Sequence, residues 1–164
     1  MPAEAGRATM EAAHHDWGCA MSTIVLALDG SEGSDRAIPI ALEFASRDAA
    51  RIVVAHARTH ALETGIEATL HARIDAIASS GAECSLAIRD SLMGDEARVI
   101  AEIAEKEEAG LIVIASRGRG PFTGALLGST TQRLLPIAVC PVLVVPGGFT
   151  GRPVETAAQM AAEA

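Results

Sequence analysis

The chain has 164 residues, a formal net charge of −8 and an isoelectric point near 5.0. That length suits one domain with a sizeable core, and an acidic chain without a concentrated basic stretch is not built to track a nucleic-acid backbone. Its three cysteines, Cys19, Cys84 and Cys140, are too few and scattered for a disulfide framework or a zinc site. No apolar run approaches a membrane span, so the expected compartment is the reducing cytoplasm.

Residues 1–20 lack periodicity and hold Pro2, Gly6 and Gly18 among alanines and charges. They are expected to form a flexible N-terminal extension, and His14-His15-Asp16-Trp17-Gly18 interrupts any signal-peptide apolar segment. Ordered pattern begins at Met21. Ile24 to Leu28 is a continuous apolar run, expected as a buried strand. Ser34 to Arg47 has a helical pattern with Ser31 or Ser34 as N-cap candidates, and Pro39 should kink that helix or delay its start. Arg51 to His56 is the second strand. Glu63 to Ser80 is the second helix, with Ile66, Leu70, Ile74 and Ile77 inward. Cys84 to Ile88 alternates as a third strand. Asp95 to Ala109 is helical, with Gly110 as the expected stop. Leu111 to Ala115 is the fourth strand, Gly128 to Ala138 a helix, and Val142 to Val145 a fifth strand between Pro141 and Pro146. Residues 147–164 are expected to be a C-terminal tail beyond a domain spanning 21–146. Strands alternating with helices imply an α/β fold: a five-stranded parallel sheet, doubly wound, with helices on both faces.

The most informative stretch follows the fourth strand. Ala115-Ser-Arg-Gly118, nine residues, then Gly128-Ser129-Thr130 runs from a strand through a glycine-bearing loop into a helix. The first N–H groups of a helix have no partner inside it, and the dipole there favours anions. Gly118, Gly120 and Gly128 allow close backbone approach, Ser129 and Thr130 add hydroxyls, and Arg117 and Arg119 add positive charge. A phosphate chain is the natural guest. Leu127, where a phosphate loop of the Walker type needs Lys, and Thr123, where a dinucleotide fingerprint needs its third glycine, exclude both of those motifs. The residues alone leave open that the loop simply turns the chain.

In such sheets ligands bind at the carboxyl ends of the strands, where strand order reverses. Asp29 ends the first strand, and its carboxylate could accept from vicinal ribose hydroxyls or make the Asx-turn that Asp-Gly favours. His56 reads as a packed strand-end histidine, with no identifiable Ser or Cys nucleophile to serve. Glu105, Lys106, Glu107 and Glu108 read as a solvated helix face. No histidine spacing suits a metal, and none is assigned.

These residues carry a resemblance. Ile24-Val-Leu-Ala-Leu-Asp29-Gly-Ser, Val53-Val-Ala-His56-Ala57, Ile114-Ala-Ser-Arg-Gly-Arg-Gly120 with Leu126-Leu-Gly-Ser-Thr130, and Cys140-Pro-Val-Leu-Val-Val145 resemble the universal stress protein family. The resemblance spans Met21 to Pro146 and implies the strand order 3-2-1-4-5. Its nucleotide-binding branch carries G-x-x-G, nine residues, then G-[S/T]. Gly118, Gly128 and Ser129 match, and Ala115 replaces the first glycine. The resemblance implies ATP, with Mg, as cofactor. Asp29 would hold the ribose, backbone at Ala57 the adenine, and Gly118, Gly128, Ser129 and Thr130 the phosphates. Arg119 is added from its charge. The expected protein is a regulatory, stress-response module that binds ATP, hydrolyses it slowly at most, and forms a homodimer through the Val142–Val145 edge strand. One alternative is an ATP-independent dimeric stress module, which Ala115 favours. Another is an adenine-nucleotide hydrolase or ligase, although Asp29-Gly-Ser-Glu-Gly-Ser34 departs from the S-G-G-x-D-S loop of such enzymes.

Overall fold

The computed structural model describes residues 21–59, 65–116 and 127–149. The extension expected for 1–20 and most of the tail expected for 147–164 lie outside them. Five strands, β1 (Thr23–Ala27), β2 (Arg51–Arg58), β3 (Cys84–Asp90), β4 (Leu111–Ala115) and β5 (Val142–Val145), form one parallel sheet in the order β3-β2-β1-β4-β5. The expected α/β fold and strand order are both met.

Side chains of a strand alternate between faces, and β1 is buried along its whole length. Ile24 and Leu26 pack on one face, with Ala37, Ala41 and Ala45 of α1 (Ala37–Asp48) and Leu70 and Ile77 of α2 (Ile66–Ser79). Val25 and Ala27 pack on the other, with Ala97, Ile100 and Ile103 of α3 (Glu96–Lys106) and Leu134 of α4 (Ser129–Leu134). A run that is apolar at every position therefore serves two cores. Each fully buried branched side chain contributes about 1.5–3 kcal/mol. Among the described residues, no helix is long and apolar enough to cross a membrane.

Several boundaries differ from the sequence pattern. A 3₁₀ turn, Ser34–Arg36, precedes α1, and Pro39 lies in the first turn of α1, where its missing N–H has no helical acceptor to lose. Pro39 thus delays the helix without kinking it. Ser31 is the residue that holds the turn, accepting from the Ser34 N–H through its carbonyl at 3.0 Å and its hydroxyl at 3.3 Å. β2 and β3 each run two residues further than their apolar patterns, to Arg58 and Asp90, which face each other across the pair. Arg58 Nε donates to Asp90 Oδ1 at 2.7 Å and its Nη1 to Glu67 Oε1 at 2.7 Å, so a charged fork closes strands whose ends carry no apolar signal.

α3 stops at Lys106, three residues short of Ala109. The chain leaves through Glu108, which adopts the left-handed conformation at φ 51°, while the Ala109 N–H donates back to the Ala104 carbonyl at 2.9 Å. Gly110 therefore does not stop the helix. It allows close packing: a Cβ there would sit 2.9 Å from Met21 Cγ. α4 ends at Leu134, four residues before Ala138. Leu135 keeps helical dihedrals at φ −52° and ψ −45°, but Pro136 has no N–H to return to residue 132, and the helical bonding stops there.

Leu70 is fully buried between α2 and the sheet. Leu70→Ala is expected to lower stability by about 2–5 kcal/mol, read from the denaturant midpoint. A loss under about 1 kcal/mol, the range of a tolerated core swap, would mean that α2 contributes little to the core.

Candidate functional site

The parallel register sets Ala27, the last residue of β1, beside Ala55 of β2 and Ile114 of β4, and β2 runs three residues further to Arg58. After β1 the chain turns toward α1 on one face, and after β4 toward α4 on the other. The diverging chains leave a crevice at the carboxyl edge, where strand order reverses. The resulting cleft has a volume of about 610 Å³, within the range of about 300–1,000 Å³ usual for small-molecule sites. Asp29, Ala57, Ala115, Gly128, Ser129 and Thr130 all line it. Gly118 and Arg119, with Arg117 and Gly120, lie outside the described residues.

Asp29 lies two residues beyond the end of β1. Its Oδ1 accepts from the Ser31 N–H at 2.9 Å and from the Ser31 hydroxyl at 2.5 Å. This is the Asx-turn that Asp-Gly-Ser favours, and Gly30 takes the left-handed conformation at φ 81° within it. The turn orients the carboxylate on the cleft wall.

Ala57 lies inside β2, beside Arg89 of β3, and not in a loop after the strand as the pattern of β2 suggests. The difference gives its backbone a direction. The Ala55 carbonyl accepts from the Leu28 N–H at 3.0 Å, so Ala55 points its polar backbone toward β1. Two residues on, Ala57 points the same way, past the end of β1 and into the cleft. His56 is 4% exposed, and its Nδ1 lies 2.9 Å from the Leu28 carbonyl. A carbonyl only accepts, so Nδ1 carries a proton. The ring ties the end of β1 to β2 and forms part of the cleft wall.

Ala115 is the last residue of β4, beside Val145 of β5. Among the described residues, positive φ outside glycine occurs only at Ala49 and Glu108. Ala115 is therefore extended, and its methyl group carries no backbone strain. Gly128 is also extended, at φ −64° and ψ 158°, as the residue before α4.

The structure adds a fourth wall that the sequence pattern did not mark. Met93, Gly94 and Glu96, from the loop after β3 and the start of α3, line the cleft opposite α4, whose Arg133 also lines it. The Gly94 N–H donates to Glu96 Oε1 at 3.3 Å, and Arg133 Nη1 donates to the Gly94 carbonyl at 2.7 Å. Gly94 has φ 92°, and a Cβ on it would lie 2.9 Å from Arg133 Nη1. The one usable signal was the glycine just before α3, which marks a tight turn near the carboxyl edge.

Burial pushes the Cys84 thiol up to about 11 and raises Cys140 as well, which disfavours the nucleophilic thiolate. Among the described residues, no group of three or more His, Cys, Asp or Glu side chains could hold a metal ion.

Residues 21–146 match the model of the Universal stress protein family. The chain belongs to the universal stress protein family. It is similar to "Universal stress protein in QAH/OAS sulfhydrylase 3'region" of Thermus aquaticus, 35% identical over 135 residues, covering 75% of this chain and 97% of the relative. Its fold is similar to a universal stress protein solved in complex with cAMP, with a TM-score of 0.64, 27% identity, and coverage of 77% of this chain and 97% of that one. It is likewise similar to a universal stress protein from Archaeoglobus fulgidus, with a TM-score of 0.62, 25% identity, and coverage of 76% and 98%.

Ala115→Gly is expected to lower stability by about 0.5–1 kcal/mol, since glycine in a strand loses more backbone freedom on folding than alanine does. Denaturant unfolding of both proteins measures it. A clear gain in stability would reveal strain at Ala115 and restore the conformational argument for glycine there.

Proposed function

We propose that this universal stress protein is a cytoplasmic regulatory module that binds ATP. The observation that carries the reading is the convergence of Asp29, Ala57, Ala115, Gly128, Ser129 and Thr130, from separate strands and a helix, on one cleft at the carboxyl edge. The similar protein in complex with cAMP supports an adenine nucleotide as the guest. Asp29 accepts from the ribose hydroxyls, and the backbone of Ala57 meets the adenine edge. Gly118, Gly128, Ser129 and Thr130 receive the phosphates, Arg119 adds charge, and Ala115 forms the floor without strain. Mg enters with the phosphates and neutralises part of their charge.

The module is not an enzyme. General base catalysis needs a group within hydrogen-bond reach of an attacking water. The carboxylates and the histidine that line the cleft among the described residues have other duties: Asp29 Oδ1 holds Ser31, His56 Nδ1 holds Leu28, and Glu96 Oε1 holds the Gly94 N–H. At most, hydrolysis is slow.

Asp29→Ala is expected to weaken ATP binding by about 1–3 kcal/mol, the range for a lost hydrogen bond to a charged group. Titration calorimetry measures the affinity, and thermal unfolding run beside it registers any damage from loss of the Asx-turn. Equal affinities would remove Asp29 from the site.

A second feature supports self-association. β5 pairs with β4 alone and so forms a sheet edge. Its neighbours in sequence, Leu135, Ile137 and Val139, are exposed large apolar side chains. An apolar edge with unpaired N–H and C=O groups invites another strand, and a two-fold axis through Val142–Val145 would close an antiparallel dimer. Pro141 and Pro146 confine the pairing to that short segment. This dimer would also serve an ATP-independent module. Light scattering at micromolar concentration is expected to give a dimer, and Val144→Pro, which removes a donor from the open edge while Pro141 and Val145 keep their carbonyl bonds to β4, a folded monomer. A monomeric unmodified protein would exclude this assembly.

A further inference from the structure

The cleft has an uneven charge. Among the described residues that line it, Asp29 and Glu96 carry carboxylates, and Arg133 is the one cation. Arg133 also differs from most arginines in the structure. Arg47, Arg51, Arg58, Arg73 and Arg98 each pair with a carboxylate. Arg133 has no carboxylate within ion-pair reach among the described residues, and its hydrogen bond goes to the neutral carbonyl of Gly94.

Its position on α4 makes it an extension of the Ser129-Thr130 wall. Arg133 lies four residues after Ser129 and three after Thr130, so the three share one helix face. Side chains on a helix lean toward its N-terminus, the end that carries those hydroxyls, and all three residues line the cleft. The side chain is exposed. It has five N–H donors, and its recorded bond to Gly94 uses one Nη1 hydrogen. A planar guanidinium with donors to spare is suited to bidentate capture of phosphate oxygens.

We propose that Arg133 is a specificity-determining residue that reads the number of phosphates on the bound nucleotide. This rests on the nucleotide reading of the cleft given above. With ribose at Asp29, two carboxylates in the cleft repel each added phosphate, and Arg133 offsets that repulsion for the distal groups. It therefore favours ATP over AMP. Through Gly94 it links phosphate occupancy to the loop after β3, where Leu92 and Met93 are 77% and 78% exposed. A merely structural Arg133 would pin Gly94 and so affect every nucleotide alike.

The test is titration of the full chain with ATP, ADP and AMP, for the unmodified protein and for Arg133→Gln and Arg133→Lys. Arg133→Gln is expected to cut the ATP-to-AMP affinity ratio by about tenfold or more, the effect of losing a hydrogen bond between charged groups, while AMP affinity stays within about twofold. Arg133→Lys, which keeps the charge and loses the fork, should fall between the two. Thermal unfolding of each variant guards against a folding defect, and Arg133→Lys carries the test if Arg133→Gln is unstable. An unchanged ratio, or an equal loss for all three nucleotides, overturns the role of Arg133 and leaves nucleotide binding standing. No binding of any nucleotide by the unmodified protein overturns both.

Discussion

The parallel pairing of β1 with β4 is the constraint on which the rest depends. It aligns Ala27 with Ile114, and so sets Asp29 and Ala115 on opposite sides of one gap. The chain must leave β1 toward one face and β4 toward the other, because the helices that cover a parallel sheet return by right-handed crossovers on both sides. Slipping that register by one residue would turn every buried side chain of β1 to the wrong core. The two-faced apolar composition of β1 and β4 therefore secures the core and the cleft together.

Much of this was legible because the signals were local. β1, β4 and β5 are apolar runs bounded by polar or proline residues, and their limits fall within one residue of the pattern. The misread boundaries depend on partners distant in sequence. Arg58 extends β2 because Asp90 stands across from it, and neither residue alone signals a strand. The end of α3 was assigned to Gly110, the residue with the usual chemistry for a left-handed cap. Glu108 takes that conformation instead, and Gly110 is occupied with the approach of Met21. A glycine has more than one reason to be present, and sequence does not distinguish them.

The candidate site divides in the same way. Asp29, Gly128, Ser129 and Thr130 adjoin the ends of regular elements, where sequence pattern has its greatest reach. Gly94, Glu96 and Arg133 also lie near element ends, but no local pattern joins them. Their meeting requires the loop after β3 and the far end of α4 to cross the same gap, which only the packing of α3 against α4 decides. Gly118 remains an inference from the loop pattern and the resemblance, and Arg119 one from its charge. Ala115 was the one residue whose departure from the motif counted against nucleotide binding. That argument required a left-handed backbone, and a residue paired within β4 does not have one.

Asp29 shows why a bland and a functional role need not compete. The Asx-turn through Ser31 explains the residue fully as loop chemistry, and it is also what a ribose contact needs. A carboxylate on an unrestrained loop must lose rotamer freedom when it binds, at about 0.5–1.5 kcal/mol for an immobilised side chain. The turn has already restricted Asp29 during folding, so that loss is not repeated on binding. The same holds for His56, whose bond to Leu28 ties the end of β1 to β2 beside Ala57. In the proposed nucleotide site, both residues would convert folding energy into a fixed spacing between the ribose and adenine sides. Preorganisation of this kind lowers the cost of binding, and in this chain the cleft wall and the fold are built from the same hydrogen bonds.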